Sequence, residues 1–193
     1  MLKHTLAYIK RTVYYGITYH TNETLEPFGF VDSDFAGCKD LRRLTEENVF
    51  VVVGGPISWK SKCQETVTLS TVKAKYIVFS QATIQAIWLS KFFDKIGLLF
   101  KESVVINTDN NSAISNSLNN KNYLCTKHIN IRHYFIKDCV AWGQVTFHYT
   151  LLSENIADIL TKPLPRDTMQ KFTLHLESGQ SPVESAYLGE ILQ

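Results

Sequence analysis

A chain of 193 residues, 45% hydrophobic and 12% aromatic, carries enough apolar surface for one core of ordinary size, which excludes a disordered chain. Its net charge of +2 announces no nucleic-acid binder, so any basic footprint must be local. No apolar run approaches the roughly 18 residues that cross a bilayer. Lys3, His4, Lys10 and Arg11 interrupt what would be the apolar core of a signal peptide. The four cysteines, Cys38, Cys63, Cys125 and Cys139, form no CxxC pair, and His128 and His133 stand in no zinc-finger spacing with them. They read as reduced, partly buried thiols, and the expected compartment is cytoplasmic or nuclear.

In chain order, residues 1–20 predict an amphipathic helix, with Leu2, Leu6, Ile9 and Val13 on one face. Phe28, Phe30 and Phe35 frame a strand with VDSD at its centre. The charged stretch KDLRRLTEEN (39–48) reads as a turn. Val49–Val53 then gives a β-branched strand ending at Gly54–Gly55, and Ile57 and Trp59 a third strand paired with it as a hairpin.

The segment 68–97 is the longest periodic one. Ser70 or Thr71 is a candidate cap and Gly97 a stop, and Phe79, Ala82, Ala86, Leu89, Phe93 and Ile96 form a buried stripe. Projected back, that stripe reaches Lys75. Residues 103–109 (SVVINTD) predict a strand ending in an acid, 111–118 a modest helix, and 129–142 a helix stopped by Gly143. Val145–Tyr149 is an alternating strand, and 155–160 begins a last helix. A meander followed by alternating units implies an α/β fold, a mixed sheet flanked by helices.

Three acids sit where strand or helix geometry would hold them rigidly: Asp32 mid-strand, Asp109 at a strand end, and Asp158 in the first turn of the last helix. Hydrolysis of a phosphodiester by two Mg²⁺ ions requires such a carboxylate cluster. Each acid also has a plain structural role open to it: Asp109 as a helix cap, Asp158 at a helix N-terminus. Asp32 is hardest to place so, because a buried carboxylate without partners is costly.

GFVDSDFAG (29–37), SWKSK (58–62), LSTVKAKY (69–76), TDNNSAI (108–114), TKHINIRHYFIKD (126–138) and NIADILTKPLP (155–165) resemble, in order, the motifs of ribonuclease H domains of copia-type retrotransposon Pol polyproteins. The resemblance implies a ribonuclease H-like, five-stranded mixed sheet flanked by helices, spanning 27–176. It makes 1–26 a remnant of the segment linking reverse transcriptase to that domain, and 177–193 a tail expected to be mobile. It also implies two Mg²⁺ ions held by four carboxylates, and an RNA–DNA hybrid as substrate. Asp32, Asp109 and Asp158 match three of the four. At the fourth, where the family has the second Glu of Glu-Ala-Glu, this chain has Lys75 within Lys73-Ala74-Lys75.

A like charge at about 4 Å in an effective dielectric of about 20 costs about 4 kcal/mol per unit charge, and a divalent ion feels more. Lys75 thus deletes a ligand and opposes the ion, so the expected protein is catalytically inactive and holds no cofactor. A family-like Ser-Thr-Ser-Gly stretch is likewise replaced by Leu44-Thr45-Glu46-Glu47-Asn48.

Two alternatives stand beside this reading. One is residual Mg²⁺-dependent nuclease activity on RNA–DNA hybrids. The other is a secreted effector acting in a host cell through host proteins. It follows from the loose resemblance of residues 42–48 (RRLTEEN) to the RxLR and acidic motifs of oomycete effectors, with Thr45 in place of the second Arg. Lys60, Lys62, Lys127, His128 and Arg132, with Trp59 nearby, supply local basic groups suited to a nucleic-acid backbone, or an ordinary solvated surface.

Overall fold

Val49–Val53 is apolar at nearly every position because its strand is covered on both faces. In the computed structural model Phe50 and Val52 face one layer of core, Val49 and Val51 the other, and all four are buried. The structure describes residues 2–14, 16–17, 19, 25–38, 43–63, 71–98, 103–111, 114–115, 127–160, 164–165, 167–169 and 172; at 33–38, 43–44, 63, 71–75 and 127–130 the description is of the backbone alone. Strands β1 (Phe28–Cys38), β2 (Arg43–Val52) and β3 (Gly55–Cys63) form an antiparallel meander. β4 (Val104–Thr108) pairs parallel with β1, and β5 (Val145–Tyr149) parallel with β4. The sheet is five-stranded and mixed, in the order β3-β2-β1-β4-β5.

Helices cover one face. Ahead of the sheet stands α1 (Leu2–Arg11); α2 (Thr71–Lys95) connects β3 to β4, and α3 (Lys127–Ala141) precedes β5. Phe79, Ala82, Ala86, Leu89 and Phe93 of α2, with Ile136 and Cys139 of α3, bury against Val31, Phe50, Ile106 and Phe147. Burial holds the Cys139 thiol above its usual pKa, with Asp138 adding to the effect. Both helices end in the same way. Gly97 and Gly143 take φ of 85° and 67°, and the residue after each donates to the carbonyl five positions back, Leu98 to Phe93 and Gln144 to Cys139, both at 2.9 Å. Only glycine adopts this closure without strain. The opposite face is covered by a short 3-10 helix, Ile156–Leu160, whose Ile156 and Ala157 pack with Phe172 against Phe30, Val49 and Val51.

Several expectations change. Residues 43–48 are not a turn but the first half of β2. Glu46, Glu47 and Asn48 are buried there, and Glu46 forms an ion pair with Lys60 of β3. The cross-strand partner that makes a charged stretch tolerable inside a sheet is invisible to local pattern. The first helix stops at Arg11, and its apolar face is exposed. Beyond it, Tyr19 donates to the Pro56 carbonyl at 2.9 Å and its ring lies over Gly55, where a Cβ would come within 2.6 Å of it.

Ile96 falls past the end of α2 and is exposed. The helix expected from Asn155 is a 3-10 helix over Ile156–Leu160, not an α-helix. Of the helix expected at 111–118, Asn111, Ile114 and Ser115 are described and helical; the expected tail, 177–193, lies outside the described residues. No helix among the described residues is long and apolar enough to cross a membrane.

Candidate functional site

Neighbouring positions in a parallel pair share a face. Phe28 pairs with Val105 and Phe30 with Asn107, the last pair of the seam; Asp32 lies two positions further along β1, and Asp109 lies in the bend just beyond β4. Two bonds hold this end of β4: Asn107 Nδ2 donates to the Gly29 carbonyl at 3.1 Å, and the Thr150 amide to the Thr108 carbonyl at 2.8 Å. The Asn110 amide donates to Thr108 Oγ1 at 3.3 Å, shaping the turn that carries Asp109.

Asp158 arrives from the covering 3-10 helix and is buried. Its place is set by Asn155, itself fully buried. Asn155 Nδ2 donates to the carbonyl of Val31, the residue before Asp32, at 3.1 Å, and its Oδ1 accepts from the Ala157 amide at 3.3 Å. The Asp158 amide donates to the Asn155 carbonyl at 3.1 Å. At the far end of the turn, Ser61 Oγ donates to the Leu160 carbonyl at 3.1 Å. Asp32 is on the sheet face that this 3-10 helix covers, Asp158 is on the helix itself, and Asp109 is in the bend after β4.

The β1–β2 register brings up Glu47, which the sequence pattern placed in a charged turn and not among the site residues. It stands opposite Asp32 on β2, with Ser61 opposite it on β3, and is fully buried. The alternation of β2 was the signal that could have placed it, had the stretch been read as strand.

Among the described side chains, Lys60, Lys62 and Arg132 lie away from the face of Asp32. Lys60 pairs with Glu46 and, like Lys62 opposite Glu46, belongs to the face that α2 covers. Arg132 donates to Ser80 Oγ at 2.8 Å, joining α3 to α2. The side chains of Lys127 and His128 lie outside the description. Trp59, by contrast, lies opposite Val49 and so on the acid-bearing face, 60% exposed.

The two Mg²⁺ ions implied by the resemblance call for four carboxylates. Position 75, in the first turns of α2, carries an amine, which cannot ligate while protonated. Its side chain lies outside the description. Among the described residues no three carboxyl, imidazole or thiol groups gather closely enough to share an ion. The donor set as it stands does not fit the two-ion centre.

No protein-family profile matches the chain. It is 39% identical over 142 residues to the retrovirus-related Pol polyprotein from transposon TNT 1-94 of Nicotiana tabacum, covering 74% of this chain and 11% of that one. To the corresponding polyprotein from transposon RE1 of Arabidopsis thaliana it is 31% identical over 171 residues, 89% of this chain and 12% of the relative. The chain thus spans about an eighth of these relatives. A secreted RxLR effector protein 161 of Plasmopara viticola is 39% identical over 89 residues, 46% of this chain and 63% of that one. Among solved structures, LC11-RNase H1, isolated from compost by a metagenomic approach, superposes with a TM-score of 0.54 at 14% identity, over 77% of this chain and 98% of that one. RNase H1 from Halobacterium salinarum NRC-1 does so with a TM-score of 0.50 at 11% identity, over 76% and 98%. The chain is thus similar to one segment of retrotransposon Pol polyproteins, and its five-stranded mixed sheet has the ribonuclease H-like fold.

Proposed function

We propose that this chain is a retrotransposon-derived ribonuclease H-like module that holds an RNA–DNA hybrid without cutting it. The observation that carries the reading is Lys75 where the resemblance implies the fourth carboxylate, in a chain that keeps Asp32, Asp109 and Asp158 at the other three positions. A structural neighbour, LC11-RNase H1, has been solved in complex with an RNA/DNA hybrid, which supports the choice of ligand. Asp32, Asp109 and Asp158 are then the remnant of a ligand set, and Mg²⁺ has no working role.

The test is a labelled hybrid incubated with purified protein and Mg²⁺. Retention of hybrid at low salt with no cleavage is expected. Metal-dependent cleavage that Asp32→Asn abolishes would overturn the reading in favour of a residual nuclease.

The effector relative favours a second reading, a secreted protein acting through host-protein contacts. Residues 45–48 do not add to it: they are paired on both sides within the sheet, and Glu46, Glu47 and Asn48 are buried. Failure to bind hybrid, with capture of a defined host protein that surface substitutions abolish, would support this alternative.

A further inference from the structure

A strand lying over carboxylates without metal ions meets net repulsion at its phosphates, so contacts that do not depend on phosphate charge must hold it. The sheet register identifies one. Trp59 sits on edge strand β3, on the face that carries Asp32, two positions along the strand and two strands across from it. At about 3.4 Å per residue and about 4.8 Å per strand, the two backbones are about 12 Å apart. The base of Trp59 is firm: its cross-strand partner Val49 is buried in the core beneath the 3-10 helix, and Ser61, two residues on, is tied to the Leu160 carbonyl. Its indole is nevertheless 60% exposed.

The other two tryptophans serve as contrasts. Trp88 belongs to α2, on the opposite side of the sheet, and its ring already stacks on Phe92, with centroids 5.5 Å apart and planes within 10°. Trp142 follows α3 in that same opposite layer.

We infer that Trp59 is a nucleic-acid contact, its indole packing against the base or sugar of a nucleotide at the edge of the face that carries Asp32. The inference rests on the hybrid-binding reading and adds the residue that reads the strand. Stacking of this kind contributes sequence-tolerant affinity.

The full chain carrying Trp88→Phe and Trp142→Phe leaves Trp59 as the sole emitter. Titration with a 16-base-pair RNA–DNA hybrid at low salt should quench or shift its emission as the complex forms. Trp59→Ala, in the otherwise native chain, should weaken binding roughly 5- to 150-fold. Trp59→Phe should recover most of that loss. The dependence of affinity on salt should keep its slope, since no phosphate contact is removed. Melting curves of both variants separate a lost contact from a lost fold. Binding by the Trp88→Phe, Trp142→Phe chain with unchanged emission, or binding by Trp59→Ala within twofold of the parent, would overturn the assignment and leave the hybrid-binding reading standing. No binding by the parent at any salt concentration would remove both.

Discussion

Asn155 has both ends of its amide engaged with backbone, the Val31 carbonyl on one side and the Ala157 amide on the other, with no solvent to replace either. Removing it leaves a buried acceptor and a buried donor unmet, each costing about 1–3 kcal/mol. Asn155→Ala should therefore lower stability by about 2–4 kcal/mol, read by urea denaturation. Amide exchange at Ala157 and Asp158 should accelerate more than in β4, because the clamp acts locally. In sequence, Asn155 reads only as a residue at the start of a helix. Its actual partner lies 124 positions away, and no local pattern reveals that. Asp32 and Asp109 were legible as candidates from motif order, but the parallel pairing of β1 with β4, which makes their strands neighbours, was not.

The β2–β3 hairpin shows what can be read at the level of an element. Its two-residue turn puts both Val53 and Gly54 at positive φ, 53° and 78°. Glycine takes this without cost, whereas a β-branched residue is strained there by about 1–2 kcal/mol. Asn-Gly is the pair such a turn favours. Val53→Asn should raise stability by about 0.5–1 kcal/mol after the loss of Val53's partial packing on the core is deducted. An unchanged or lowered denaturation midpoint would contradict this account of the turn. Elements stopped by glycine or marked by clean alternation, α2, α3, β4 and β5, were legible to within a residue or two. β2 was not, because Arg43 to Asn48 looks like a solvated turn until Lys60 and the neighbouring strands are present. The first helix was overextended because its apolar spacing continues to Val13 although the helix ends at Arg11.

For the whole molecule, the distinction between a metal-binding fold and a metal-free one turns on position 75. Lys75→Glu supplies a fourth carboxylate and removes the opposing charge. In chelator the variant should melt below the parent, since clustered carboxylates repel one another. With Mg²⁺ at ten times its Kd it should gain about 1.4 kcal/mol, or roughly 3–6 °C for a chain of this size. The parent should gain nothing beyond the general effect of salt, tested with a matched concentration of Na⁺. Identical melting of Lys75→Glu with and without Mg²⁺ would show that the three remaining positions cannot be completed by the fourth.

The parallel seam between β1 and β4 has a kinetic meaning. Its tie from Asn107 to Gly29 joins positions 78 apart, with two strands and the long helix α2 made in between. Pairings this distant in sequence form slowly, because the entropy of closing the intervening chain is lost before the contact rewards it. The hairpin and α2 can begin to form from local contacts, but Asp32 meets Asp109 only when nearly the whole domain has condensed. A nascent or truncated chain ending before β4 would display the apolar strands and the exposed edge of β1 without the acidic face. Such a fragment is prone to pair with its own kind before it can engage a nucleic acid.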